Sequence, residues 1–440
     1  MRLTLDEVAN AVGGRRSGEQ AEVSTYATDS RLAGPGTLFF ALRGAEMDGH
    51  DFVADAAARG AAGAVLERPA DVALPQVVVA DAWKALFDLA GHALRTAAPL
   101  AVGVTGSNGK TSTKELLAAA LGARHTVLKT EGNLNTETGV PLTLLRLESG
   151  VHTALVAEMG MQGPGEIARL AELVRPSIGV ITVIGTVHLE FFDNREGLAR
   201  AKGELVQALP DDGFAVLNAD DPFLPLLESL TRAHVVTFGS ERGMYRVEGY
   251  HAAGAGSEFT VRGVPVRLQL AGLHQARNAA AALAAAEVAG VALSESAPRL
   301  AEVEAVRGRM REVRTGGGVL LIDDSYNASP ESMVAAFAVA SERPARRRLA
   351  VLGEMRELGA AAESEHERIG RLAAETFDAI AVIDGGHATK LAAVAGADPL
   401  RDLDEAERWV AEHAADGDLL LVKGSRGVHL EHLVERLLNA

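Results

Sequence analysis

The chain has 440 residues, 48% apolar and 23% charged, with 59 acidic against 43 basic side chains and a formal net charge of −16. That length implies two or three globular domains, and the acidic balance, with no basic stripe, excludes a general nucleic-acid binder while leaving room for a local anion site. Zero cysteines exclude disulfides and thiolate metal centres.

The opening MRLTLDEVANAVGG lacks the apolar core of a signal peptide, and no run of about eighteen apolar residues is present, so a cytoplasmic protein without a membrane span is expected. Up to Ala97-Ala98-Pro99, short strand-like runs at 37–42, 64–66 and 76–79 alternate with alanine-rich helical stretches.

The segment AVGVTGSNGKTSTKELLAAAL at 101–121 then reads as an apolar strand, a glycine turn and a helix. Such a turn (Thr105, Gly106, Ser107, Asn108, Gly109, Lys110, Thr111, Ser112) offers free N–H groups and a positive helix end to phosphates. Lys110 would reach the outer phosphates and the Thr111 hydroxyl would sit where Mg²⁺ is held, the alternative being an ordinary turn with a chance GKT. Val104 stands where the commonest NTPase loop has its first glycine, leaving a shorter G-x-x-G-K-T pattern.

From here strands and helices alternate at the spacing of a parallel sheet, with strands at 154–159, 178–184 and 214–218. Glu158 ends the first of these and is either a Mg²⁺ ligand or a surface cap. His188 follows the second and is either a metal ligand or a satisfied loop histidine. Lys202, on a helix over 195–209, reads by itself as a solvated surface lysine.

At 246–272 the pattern changes to β-hairpins, with turns at 252–257 and 262–263, before a long helix at 275–289. A boundary falls near 308–316, beside Arg309, which is placed either to meet a transferring phosphoryl group or in a surface patch with Arg307 and Arg311. The strand at 319–323 leads into DDSYNASPESM, where Asp323 and Asp324 suit ribose hydroxyls or a cation and Tyr326 suits a base. Ser329-Pro330-Glu331 reads as a helix cap. Further strands at 348–352, 379–383 and 418–422 precede LVKGSRG, whose Lys423 and Arg426 suit a carboxylate or phosphate.

TGSNGKTS, the glutamate after the next strand, VHLE, AKGE, NADD (218–221), RGR, DDSYN and KGSR occur in one order along essentially the whole chain. This ordered set resembles the Mur ligase family, the ATP-dependent amide-forming enzymes of peptidoglycan synthesis. TEGNLNTETGVPLTLLRL (130–147), DDSYNASPESM and LGEMRELG (352–359) are similar to the member that adds D-alanyl-D-alanine to UDP-N-acetylmuramoyl tripeptide. The N-terminal TDSR, GTLFFALRG and DGHDF resemble a uridine-nucleotide domain shared with the enzyme adding the third residue. That enzyme and a folylpolyglutamate-synthase-like ligase are the alternatives within this chemistry, and a non-enzymatic nucleotide-binding regulator lies outside it.

The resemblance implies an α/β fold in three domains: a smaller N-terminal domain binding the UDP-sugar peptide (1–98), a central phosphate-loop ATPase-type domain with a mostly parallel sheet (99–308), and a Rossmann-like C-terminal domain (309–440). It implies ATP at the loop, a first Mg²⁺ on Thr111 and Glu158, and a second on His188 and carbamylated Lys202. Asn278 would contact adenine, Arg309 the γ-phosphate and Asp324 the ribose, with Tyr326 beside the nucleotide. Ser30 and Arg31 would lie along the uridine nucleotide, and Asn133, Asn135 and Thr136 near its pyrophosphate and sugar. Asn327, Lys423 and Arg426 would meet substrate, the last two facing the dipeptide. A monomer is expected. Where the family has His-Asn-x-x-Asn, this chain reads His274-Gln275-Ala276-Arg277-Asn278, with a longer amide at the second position.

Overall fold

Short apolar runs in the N-terminal segment pair into a five-stranded sheet in the computed structural model, which describes residues 1–439. Thr25–Ala27, Thr37–Phe40, Gly63–Leu66 and Gln76–Val78 lie parallel and in chain order, with Arg15–Ser17 antiparallel at the edge. The two middle strands are buried at every position, as strands covered on both faces are. Helix Ala82–Ala97 starts at Asp81, whose side chain accepts from Lys84 N. Its Leu86 and Leu89 belong to a core that runs from Leu38 and Phe40 into Leu155 and Leu170 of the next unit.

The central sheet has nine strands. The chain enters at Leu100–Thr105, crosses to the far strand Val127–Lys129, and returns between them as Ala154–Glu158. It then builds the other side in sequence, with Ile178–Ile181, Phe214–Asn218 and His234–Gly239. The winding reverses at Leu100–Thr105, so the carboxyl end of that strand opens on a crevice, the place where open α/β sheets bind ligands. Tyr245–Ala253, Gly256–Val261 and Val264–Leu268 extend the sheet as hairpins. The last turn, Arg262-Gly263, is left-handed at both residues, as a tight two-residue hairpin requires. Helix Leu273–Val288 is alanine-rich on every face and packs beside helix Lys110–Leu121.

Arg311–Arg314 opens the third sheet as an antiparallel edge strand beside Leu320–Asp324. Leu419–Lys423, Arg348–Leu352, Ala379–Ile383 and Asp398–Leu400 continue it in parallel. Asp324 and Lys423 are register partners at the carboxyl ends of neighbouring strands. No helix among the described residues is long and apolar enough to cross a membrane.

Candidate active site

The turn after Leu100–Thr105 has a shape that only glycine allows. Gly106 has φ +144°, and a Cβ there would lie 1.9 Å from Thr182 Oγ1. Gly109 has φ +82°, and its Cβ would lie 2.5 Å from Asn278 Oδ1. The loop is tied down on both sides: Thr182 Oγ1 donates to Asn108 O (2.6 Å), Gly185 N to Ser107 Oγ (2.9 Å) and Thr105 Oγ1 to Met159 O (2.8 Å). Helix Lys110–Leu121 begins there with its positive end toward the crevice. Lys110 Nζ donates to Gly106 O at 2.8 Å and Ser107 O at 3.2 Å. Burial lowers its pKa; Glu158 opposes that shift, Arg309 adds to it and Glu357 opposes it.

Glu158 is buried at its strand end. Its Oε1 accepts from Asn135 Nδ2 (2.8 Å) and Thr111 Oγ1 (3.3 Å). Oε2 lies 3.3 Å from Lys114 Nζ, without the alignment of a hydrogen bond, and has no other polar partner among the described residues. Lys114 is fully buried one helical turn beyond Lys110, and the sequence reading passed over it. A hydroxyl beside a carboxylate with an unbonded oxygen suits a hard divalent cation, so Thr111 and Glu158 fit Mg²⁺.

His188 has a left-handed backbone (φ 68°) and its Nδ1 lies 2.5 Å from Glu357 Oε2, at an angle poor for a hydrogen bond. This contact holds the Glu357 carboxyl below its ordinary pKa. Glu357 was also missed from sequence; it sits in LGEMRELG, a segment noted only for its resemblance. Lys202, read by itself as a surface residue, is 1% exposed, and no carboxylate pairs with it among the described residues. Burial first, and then the charge of Lys110, lower its pKa well below that of an ordinary lysine. Burial disfavours the charged ammonium, which is the direction carbamate formation needs. No hydrogen bond joins His188 to Lys202 among the described residues.

On the opposite wall, Gly308 N donates to Asp323 Oδ2 (2.9 Å), Met310 N to Asp324 Oδ1 (3.1 Å) and Tyr326 N to Gly308 O (3.1 Å). The Arg309 guanidinium lies 4.2 Å and that of Arg426 5.7 Å from the Tyr326 ring centre. Lys423 Nζ pairs with Asp324 Oδ2 and donates to Asn327 O at 2.9 Å. Asn278 Nδ2 donates to the buried Gln275 Oε1 at 3.0 Å, so the longer amide supports Asn278 directly.

These walls enclose a cavity of about 700 Å³, within the range of small-molecule sites. The phosphate loop from Ser107 to Ser112, Glu158 and His188 line it on the central side, with Asn133, Asn135, Thr136 and Asn278. Arg309, Asp324, Tyr326, Asn327, Lys423 and Arg426 line it on the C-terminal side. Thr105, Gly106 and Lys202 are not part of the lining. Ser30 and Arg31 are outside it: Ser30 is buried in the N-terminal unit and Arg31 is exposed, paired with Asp29 at 2.6 Å. The N-terminal unit contributes Trp83, whose Nε1 donates to Arg43 O at 3.0 Å, and which the sequence reading also missed.

Three family models match the chain: Mur ligase family, catalytic domain, over 22–99; Mur ligase middle domain, over 104–286; and Mur ligase, glutamate ligase domain, over 308–426. The UDP-N-acetylmuramoyl-tripeptide--D-alanyl-D-alanine ligase of Escherichia coli K12 is 36% identical over 99% of this chain and 98% of its own length. The Bacillus subtilis 168 protein of the same name is 33% identical over 100% and 99%. Among solved structures, MurF from Acinetobacter baumannii superposes with a TM-score of 0.92 at 32% identity, covering 100% of this chain and 99% of that one. Thermotoga maritima MurF ligase in complex with ADP superposes at 0.84 with 29% identity, covering 95% and 97%. A Mycobacterium tuberculosis folylpolyglutamate synthase shares the fold alone, at 18% identity and TM-score 0.65 over 81% and 95%.

Proposed function

The chain belongs to the Mur ligase family, and from that premise we propose that it joins D-alanyl-D-alanine to UDP-N-acetylmuramoyl tripeptide, using ATP, in peptidoglycan precursor synthesis. It is an ATP-dependent peptide ligase. One observation carries the assignment of its site: the phosphate loop, a buried carboxylate and the C-terminal cations converge on one cavity.

The tripeptide carboxylate attacks the γ-phosphate of ATP, giving an acyl phosphate and ADP; the dipeptide amine then displaces phosphate to form the amide. Lys110 and Arg309 spread the charge that develops on the transferring group. Thr111 and Glu158 would hold one Mg²⁺, and His188 with carbamylated Lys202 a second; bound there, such ions draw charge from phosphate oxygens. Asn278, propped by Gln275, would reach adenine, and Asp324 would share its oxygens between Lys423 and the ribose. Asn133, Asn135 and Thr136 would follow the nucleotide substrate toward Ser30 and Arg31. Lys423, Arg426 and Asn327 would receive the dipeptide, whose carboxylate needs fixed cations. No protein nucleophile takes part. The central and C-terminal sides of the cavity come from one chain, which supports action as a monomer.

Phosphate release from ATP tests this reading, with the tripeptide nucleotide and D-alanyl-D-alanine supplied singly and together. Release only with both is expected. Release that needs another acceptor or acyl partner would keep the family and overturn the member.

A further inference from the structure

We propose that Lys114 is a positioning residue that guards the Glu158 carboxylate by charge, so that a divalent cation settles there only together with the phosphates of a nucleotide. This rests on the ligase reading, in which Glu158 holds a metal. Helix Lys110–Leu121 puts Thr111, Lys114 and Glu115 on one face and packs beside the strands Val127–Lys129 and Ala154–Glu158. Thr111 and Lys114 divide the two Glu158 oxygens between them. Thr111 Oγ1 donates to Oε1 at 3.3 Å, and Lys114 Nζ stands 3.3 Å from Oε2. Lys114 Nζ also donates to Gly132 O at 3.4 Å and lies 3.4 Å from Glu115 Oε1. Further along that face Leu117 and Leu121 are buried apolar residues, so a lysine at 114 answers the carboxylate and not the solvent.

The side chains of Lys114 and Glu158 are 0% and 2% exposed, and a carboxylate so deep needs a partner charge. Before a cation arrives, the Lys114 ammonium supplies it. The charges around it already balance: Glu158 and Glu115 are offset by Lys114 and by Lys129, which pairs with Glu115 Oε2. Lys110 is also within electrostatic reach of Glu158. A bare divalent ion would bring excess positive charge into this neutral cluster and meet the ammonium at close range. An ion carried by a nucleotide brings the negative charge of the phosphates with it, and the helix N-terminus and Lys110 draw those phosphates in. The species that binds is then the metal–nucleotide pair.

The test reads Mn²⁺ binding by electron paramagnetic resonance, with Mn²⁺ alone and with Mn²⁺ plus ADP, in wild type, Lys114→Met, Lys114→Gln and Lys114→Arg. Removing the charge should tighten binding of Mn²⁺ alone by about tenfold in the Met and Gln variants and change binding with ADP much less. Lys114→Arg keeps the charge and should not tighten it. A merely structural role predicts weaker binding throughout, so unchanged or weaker binding of Mn²⁺ alone in both neutral variants would overturn the proposal. Equal tightening in Lys114→Arg would overturn it too, by removing charge as the cause. In a Glu158→Gln background, Lys114→Met should gain nothing. A gain that persists there would place the ion elsewhere and overturn the guard. Lys114→Met leaves Glu158 buried without its partner; should it fail to fold, Lys114→Gln, which keeps a donor for Gly132 O, is read in its place. The wild type also decides by itself, because Mn²⁺ bound as tightly without ADP as with it would contradict the proposal. These readouts need no turnover, so a wild type that releases no phosphate would sink the ligase reading separately.

Discussion

A lysine buried beside another lysine is held there against two costs, desolvation and like-charge repulsion. Lys202 bears both, with Lys110 as the neighbour. Losing its proton removes the repulsion, and adding CO₂ to the neutral amine, with release of a proton, turns it into attraction and supplies two oxygens that share one negative charge. We therefore expect Lys202→Ala to abolish phosphate release and short carboxylates to restore part of it. Unaltered activity in that variant would remove the carbamate. The AKGE string resembles the family's, but spacing alone puts Lys202 on a solvated face, and only packing against the core shows otherwise. Lys114 has the same problem in reverse. Nothing in TSTKE marks it as more than a helix-surface residue, yet it lies beside the buried Glu158 carboxylate, whose charge it offsets.

Among the elements, the phosphate loop makes the sharpest demand on sequence. Gly106→Ala would put a methyl group 1.9 Å from Thr182 Oγ1, in a backbone region closed to other residues. Loop and neighbouring strand cannot both keep their places, so this variant should lose ATP binding measured by calorimetry, with a lower melting temperature. Wild-type affinity would contradict the loop geometry. This element was legible because the glycine spacing follows from phosphate chemistry. Longer apolar strands such as Ala154–Glu158 and Phe214–Asn218 were legible too, because burial on both faces leaves a continuous apolar run. Strands of three residues, Thr25–Ala27, Val127–Lys129 and Asp398–Leu400, are too short to show a period, and pairing with neighbours creates them. The run at 178–184 stops being strand at Ile181 because Thr182 turns to hold the phosphate loop.

Across the whole molecule, the central and C-terminal units meet at the chemistry. Asn108 of the phosphate loop donates to Ser329 Oγ (3.1 Å), Thr186 to Glu331 (3.2 Å), and His188 faces Glu357. Contacts so close to the loop would help to keep water from an acyl phosphate, which a ligase with so reactive an intermediate needs. The order of motifs made the family legible, because most of them, TGSNGKTS, Glu158, NADD, DDSYN and KGSR among them, sit at the carboxyl ends of strands. Distances between units were not legible: Trp83 reaches the cavity while Ser30 and Arg31 do not line it, and no local pattern encodes that arrangement.

The measurement that bears most directly on this account follows one oxygen atom. With the tripeptide carboxylate labelled with heavy oxygen, transfer through an acyl phosphate must leave one labelled atom in the phosphate released, read by mass spectrometry. Label in the phosphate, in step with amide formed, is the predicted result. Amide formation with unlabelled phosphate would contradict the mechanism derived from this site.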